Sequence, residues 1–312
     1  MTMWPKKPYI YEINTAVWLS SLSQKYDRHI TLTNVPDEEL DYLASLGIDG
    51  VWLMGVWYRS KAVRASALNY IDEYRSVLPD ITEEDVIGSA YAIGAYVVDK
   101  RLGGRDGLAS LRRRLQERGL QLILDFVPNH VAIDHAWVSQ HPDRFVRGTL
   151  SDLQRNKGMF FKSRDAWGRT LVVAHGRDPY FPGWIDTAQL DAFSPSYRQA
   201  ALETLLDIAD QCDGVRCDMA MLLVNRIFAQ TWGDYVDEPP KTEFWEDIIP
   251  NVKALHPNFI FIAEVYWDME HELQKLGFDY TYDKVFYDRL VEQELEQLKT
   301  HLQADINYQN HT

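Results

Sequence analysis

Short apolar runs alternate along the chain with stretches whose leucines recur every three or four residues. Tyr9 to Ile13 is the first run. A helix is predicted from Pro36 to Leu46, with Pro36 at its first position, Asp37, Glu38 and Glu39 in the first turn, and Gly47 as its stop. Gly50-Val51-Trp52-Leu53-Met54 is apolar throughout, as a strand covered on both faces would be. Leu108, Leu111 and Leu115 mark a helix ending at Gly119, and Leu120 to Phe126 is the third strand. Two further units pair the helix Ser196 to Asp210 with the strand Gly214 to Cys217, and the helix Phe244 to Leu255 with the strand Phe259 to Ala263. Phe278 to Tyr282 is the sixth strand, and Asp283 to Gln303 reads as helix.

Helix then strand, repeated in order, predicts a parallel sheet with right-handed crossovers. With this many units in series, the expected fold is α/β, a (β/α)8 TIM-barrel type, incomplete at about six β/α units. Spacing locates an insertion. The strand-end acids Asp125 and Asp218 lie 93 positions apart, whereas Asp218 and Glu264 lie 46 apart. The excess falls in a loop-like, aromatic stretch containing Trp137, Phe145, Phe160, Phe161, Trp167, Tyr180, Phe181 and Trp184. The expected organisation is residues 1–130 as the first part of the barrel, 131–190 as an inserted subdomain after strand three, and 191–312 as the barrel's continuation.

Composition narrows the partners. The 32 Lys and Arg against 46 Asp and Glu give a net charge of −14, which disfavours nucleic acid and anionic membranes. The 10 Trp, 17 Tyr and 12 Phe suit a ligand site of flat apolar faces, although a large barrel core also uses such residues. No apolar run reaches the roughly 20 residues of a membrane span, and Met1 to Lys7 lacks a signal peptide's apolar core, so the expected location is cytoplasmic. Cys212 and Cys217 flank a buried strand and read as inert core thiols. Leu102 to Gly107 carries no nucleotide fingerprint and reads as a helix lead-in.

Three apolar runs each end in an acid: Asp125, Asp218 and Glu264. Strand C-termini of a barrel converge on one face, so these distant carboxylates are expected to meet there. Arg216 and Asp218 are two apart on one strand and point the same way, so the guanidinium should hold the carboxylate ionised and oriented as a nucleophile. Glu264 ends a strongly apolar run beside Tyr266 and Trp267, where a raised pKa would keep it protonated. One ionised and one protonated carboxylate is the pairing that glycoside hydrolysis requires, with a separation of about 5 to 5.5 Å in retaining enzymes.

At these residues the chain resembles the α-amylase family of glycoside hydrolases. Asp125-Phe126-Val127-Pro128-Asn129-His130 is similar to the family's first region, Gly214-Val215-Arg216-Cys217-Asp218 to the second, and Ala263-Glu264-Val265 to the third. Gly88 to Tyr96 resembles the segment whose first Tyr stacks under the sugar, and Thr187-Ala188-Gln189-Leu190-Asp191 the stretch closing the inserted subdomain. The resemblance implies a retaining glycoside hydrolase or transglycosylase acting on α-glucosidic bonds of oligo- or polysaccharides. It implies Asp218 as nucleophile and Glu264 as acid/base, with substrate bound by Tyr91, His130, Arg216 and Trp267, and Asp125 supporting the Arg216 network. The chemistry needs no cofactor; Asn129 matches a position that ligates a structural calcium in many members.

Two departures bear on activity. After Asp218 the chain reads Met219-Ala220-Met221-Leu222, without the Lys-His pair of α-amylases proper. The family's fourth region, a His-Asp pair on the seventh strand, has no counterpart; Asn310-His311-Thr312 matches only its start. Weak or impaired turnover by the 312-residue chain, and self-association through open barrel edges, are therefore expected. The alternatives are a non-catalytic sugar-binding remnant and a metal-dependent barrel hydrolase using His130, Asp134, His135 and His141.

Overall fold

The computed structural model describes the backbone of residues 4–309 and the side chains of residues 4–303; Asn310-His311-Thr312 lies outside the described residues. Strand β1 (Ile10–Asn14) leads into α1 (Thr15–Lys25), capped by the Asn14 side chain accepting from the Val17 N–H. Helix α2 (Asp37–Ser45), its first turn carrying Asp37, Glu38 and Glu39 against the helix dipole, delivers the chain to β2 (Gly50–Met54). An excursion follows: β3 (Trp57–Arg59) pairs antiparallel with β4 (Ile93–Val98), with α3 (Lys61–Leu68) and α4 (Ile71–Val77) between them. Helix α5 (Gly104–Gln116) buries Leu108, Leu111 and Leu115 and returns the chain to β5 (Gln121–Phe126), which is buried at every position.

The segment after β5 leaves the sheet. It holds β6 (His130–Ala132), α6 (Ala136–Gln140), α7 (Leu150–Arg155), the hairpin of β7 (Phe160–Arg164) and β8 (Thr170–Ala174), and β9 (Thr187–Gln189). Strand β9 pairs antiparallel onto β6, so the excursion starts and ends at the same place. Helix α8 (Pro195–Ala209), with Pro195 in its first turn and Ser194 as cap, precedes β10 (Gly214–Cys217). Helices α9 (Asn225–Trp232) and α10 (Phe244–Leu255) precede β11 (Ile260–Ala263), and α11 (Glu270–Lys275) precedes β12 (Tyr280–Thr281). Helices α12 (Lys284–Val291) and α13 (Leu295–Gln309) follow, and Gln293 at φ +60° separates what the periodicity presents as one helix.

The six predicted strands form one parallel sheet in the order β1-β2-β5-β10-β11-β12. It curls as part of a TIM barrel: its edge strands β1 and β12 face a shared cleft of about 690 Å³ that touches Ile10 on one side and Tyr280 on the other. Outer helices pack Leu111, Leu205, Ile248 and Val252 into the same buried core as the strand residues Leu122, Val215 and Phe261. Cys212 and Cys217 are free and buried, and burial raises both thiols above their ordinary pKa. No helix among the described residues is long and apolar enough to cross a membrane.

Candidate active site

Parallel pairing sets all six strand C-termini on one face, and the register brings the three acids there. Arg216 on β10 lies opposite Asp125 on β5 and opposite Ile262 on β11. One residue past each strand the ladder continues, with the Asp218 N–H donating to Phe126 O at 2.8 Å and the Glu264 N–H to Cys217 O at 3.0 Å. Asp218 and Glu264 therefore stand side by side above Arg216.

Arg216 joins them. Its Nη1 lies 2.6 Å from Asp218 Oδ1 and its Nη2 2.7 Å from Glu264 Oε2. The three residues are 4, 5 and 8% exposed, so these are charge-assisted contacts with little water around them. The guanidinium also sits within the rings of Trp52, Tyr91 and Tyr282, 5.2, 5.1 and 5.6 Å from their centroids, and its Nε donates to Tyr282 Oη at 3.2 Å. Each of its faces and edges is thus engaged, which fixes where the two carboxylates point.

Glu264 accepts two further bonds, from the Tyr266 hydroxyl at 2.6 Å and the Met219 N–H at 2.7 Å. Met219 holds φ +47°, a conformation that turns its N–H back toward β11. Burial raises the Glu264 pKa; Arg216, Tyr266 and Met219 pull it down, the charge of Asp218 pushes it up, and the balance stays above the ordinary glutamate value. The raised Glu264 pKa expected from the apolar run is present, with Asp218 a second cause.

Asp125 lies beside Arg216 in the sheet and meets it through a neighbour. It is fully buried, and its oxygens accept from Trp52 Nε1 at 3.1 Å and from the Gly55 N–H at 2.9 Å. Gly55 sits at φ +79°, the turn that aims its N–H at Asp125, and a Cβ there would lie 2.4 Å from the Arg59 guanidinium. No described ion pair joins Asp125 to Arg216 directly; Asp125 braces the ends of β2 and β5 and holds Trp52, whose ring packs on the guanidinium. Burial pushes its pKa up to about 7.

The remaining candidates lie around this core. Tyr91 packs its ring on Arg216, half-buried at the cluster. His130, pushed down to about 4 by burial and so neutral at pH 7, hydrogen-bonds the Tyr91 backbone and lies 3.4 Å from Asn129 Nδ2 and 5.0 Å, ring to ring, from Trp184. Trp267 is on the rim, 38% exposed at φ +65°, its ring meeting that of Tyr180 edge-on at 5.0 Å. Trp52 and Tyr282 are not legible as site residues by motif, and Tyr266 is legible only as a neighbour of Glu264. Tyr266, two past Glu264 as Arg216 is two before Asp218, had a spacing that could have found it.

The implied calcium does not fit. Gln189 Nε2 donates toward Asn129 O, Asn129 Oδ1 and Leu190 O at 2.8, 2.9 and 2.9 Å, while Asn129 Nδ2 donates to Gln189 Oε1 at 3.2 Å. An amide nitrogen thus occupies the point where the oxygens converge, and no carboxylate joins them, whereas calcium takes six to eight oxygens. No group of three or more His, Cys, Asp or Glu among the described residues is placed to hold a metal, so His130, Asp134, His135 and His141 do not form a ligand set. His135 instead caps α6 by accepting from the Trp137 N–H at 3.2 Å.

A curled six-stranded parallel sheet with an arginine-bridged carboxylate pair at its strand C-termini defines a two-carboxylate site of the β/α-barrel type. Residues 35–169 match the model of the alpha amylase catalytic domain. The chain is 20% identical over 279 residues to alpha-amylase 3 of Dictyoglomus thermophilum, covering 86% of this chain and 45% of that one. It is 22% identical over 233 residues to a probable oligo-1,6-glucosidase 2 of Bacillus subtilis, covering 70% and 35%. Its fold is similar to an alpha-amylase from Lactobacillus plantarum (TM-score 0.60, 22% identity, 96% of this chain and 59% of that chain). It is also similar to an alpha-amylase from Geobacillus thermoleovorans complexed with acarbose (TM-score 0.54, 19% identity, 93% and 54%). Over residues 35–169 the chain is similar to the catalytic domain of the α-amylase family, and it spans less than half the length of the two curated relatives named here.

Proposed function

We propose that the chain carries the catalytic pair of a retaining enzyme acting on α-glucosidic bonds, with Asp218 as nucleophile and Glu264 as acid/base. The observation that carries this reading is Arg216 held between the two carboxylates at 2.6 and 2.7 Å, at the strand C-termini. An Asp218 oxygen would bond to the anomeric carbon as the glycosidic C–O bond breaks, and the Glu264 proton would pass to the leaving oxygen. In the second step Glu264 takes a proton from water or an acceptor sugar, whose oxygen displaces Asp218 from the anomeric carbon.

The electrostatics support the exchange of roles. While Asp218 is charged it raises the pKa of Glu264, which favours the acid form. Esterification removes that charge, so Glu264 becomes easier to ionise when a base is needed. Tyr91 and Trp267 offer ring faces to the sugar, and His130 and Arg216 position it or its partner groups. The relatives include proteins named as glucosidases and as α-1,4-glucan:maltose-1-phosphate maltosyltransferases, so hydrolysis and transfer both fall within this reading. A fluorinated α-glucosyl fluoride that traps the covalent intermediate tests it. Mass spectrometry should find one glucosyl adduct on the peptide containing Asp218, absent in Asp218→Asn; an adduct elsewhere, or none at saturating reagent, overturns the assignment.

A further inference from the structure

Glu264 carries the proton of the proposed chemistry, and its two oxygens are not equivalent. Oε2 receives Arg216 Nη2 at 2.7 Å and the Met219 N–H at 2.7 Å. Both neighbours are donors without a lone pair to offer, so a proton on this oxygen would face two others. Oε1 has a different neighbour. The Tyr266 hydroxyl donates to it at 2.6 Å, and a phenol oxygen can accept as well as donate. The remaining charged and titratable groups that act on Glu264 are Asp218 past β10, His130 on β6 and Tyr282 past β12. Among the described residues only Tyr266 hydrogen-bonds to Oε1.

The chain past β11 brings this hydroxyl back to the carboxylate. Glu264 and Tyr266 lie on one side of the extended segment, with Val265 between them turned into the core. Trp267 and Asp268 then hold φ +65° and +56°, two successive left-handed residues that end the extended course directly after Tyr266.

We propose that Tyr266 is a positioning residue of the reaction, confining the transferable proton to Oε1 of Glu264 and steering water rather than a sugar to that oxygen. The inference rests on the acid/base reading of Glu264 above and extends it to the choice between hydrolysis and transfer. An oxygen that exchanges a proton with Oε1 must come within hydrogen-bonding distance of it, and so beside a hydroxyl 2.6 Å from the same atom. In the second step the water oxygen bonds to the anomeric carbon as the C–O bond to Asp218 breaks. One water proton passes to Oε1, and the other stays on the product hydroxyl, which donates it as a hydrogen bond to Tyr266 Oη. An acceptor sugar hydroxyl has only the one proton, so it gains nothing from this second contact.

Carbon-13 NMR of the full chain labelled at the glutamate carboxyls, with Glu264→Gln assigning the resonance, tests the proton's place without turnover. Donation by Tyr266 favours the ionised form, so Tyr266→Phe should raise the proton affinity of Glu264 about tenfold. 3-Fluorotyrosine in place of Tyr266, a stronger donor, should lower it below the parent's. Opposite shifts of this sign support the proposal; any other pattern overturns it, since a ring that merely covers Glu264 would give none. The steering is read on the trapped Asp218 adduct: with maltose present, Tyr266→Phe should raise the ratio of transfer to hydrolysis products about fivefold, the worth of one hydrogen bond. An unchanged or lower ratio overturns it. If Asp218 takes no label in the parent, the glucan reading falls and the steering with it, while the titration still decides where the proton sits.

Discussion

Replacing Arg216 by methionine removes the one cation that two buried carboxylates share. In the parent, Asp218 and Glu264 contact the guanidinium at 2.6 and 2.7 Å, and all three residues are at most 8% exposed, so solvent screens little of the interaction. Breaking a buried pair by deleting one partner costs about 3–5 kcal/mol, mostly because the other charge stays buried. Methionine fills much of the space among Trp52, Tyr91 and Tyr282, so lost packing is a minor part. The loss depends on pH in a defined direction. Burial already raises the Glu264 and Asp125 pKa values while Arg216 pulls both down, so without it both rise further. A carboxyl whose folded pKa exceeds its unfolded value costs stability above the folded pKa and ceases to do so below the unfolded one.

The deficit of Arg216→Met should therefore be largest near pH 8 and shrink toward pH 5, as protons replace the missing cation. Urea unfolding followed by tryptophan fluorescence measures it. A loss of 3–5 kcal/mol corresponds to a midpoint about 1–2 M lower at pH 8. Equal midpoints at pH 8, or a deficit that grows on acidification, would refute the shared-cation account.

Asp125 gives a second pH test. Its pKa of about 7 in the fold makes the parent lose stability as pH rises from roughly 4 toward 7, and Asp125→Asn should flatten that slope in the same urea series. Gln189→Ala should cost about 2 kcal/mol or more, because Asn129 O, Asn129 Oδ1 and Leu190 O lose their buried donor; differential scanning calorimetry reads the loss as a lower Tm. The same scan of the parent should give one Tm with chelator and with added calcium, and a calcium-dependent Tm would contradict the amide-filled site.

The expected strands lie within two residues of the observed ones because a strand buried on both faces must be apolar along its length, as in Leu122-Ile123-Leu124 and Ile260-Phe261-Ile262. The excursion between β2 and α5 was not legible. Strands β3 and β4 mix exposed and buried positions, pair with register shifts and flank helices that bury only Val63, so neither a twofold nor a 3.6-residue pattern emerges. Trp52 and Tyr282 are not legible as site residues for another reason: an aromatic in or just past a strand has the same local pattern whether it packs in a core or encloses a guanidinium.

By itself the sequence determined the parallel α/β architecture, the three acids at strand ends and the pairing of Arg216 with Asp218, since each depends on periodicity or on a two-residue spacing within one strand. Only the tertiary structure decided that the same guanidinium also reaches Glu264, that Asp125 is held by Trp52 and Gly55, and that Gln189 fills the space beside Asn129. Those outcomes depend on which strands become neighbours and in what register, a choice made by packing between residues tens of positions apart that no local pattern records.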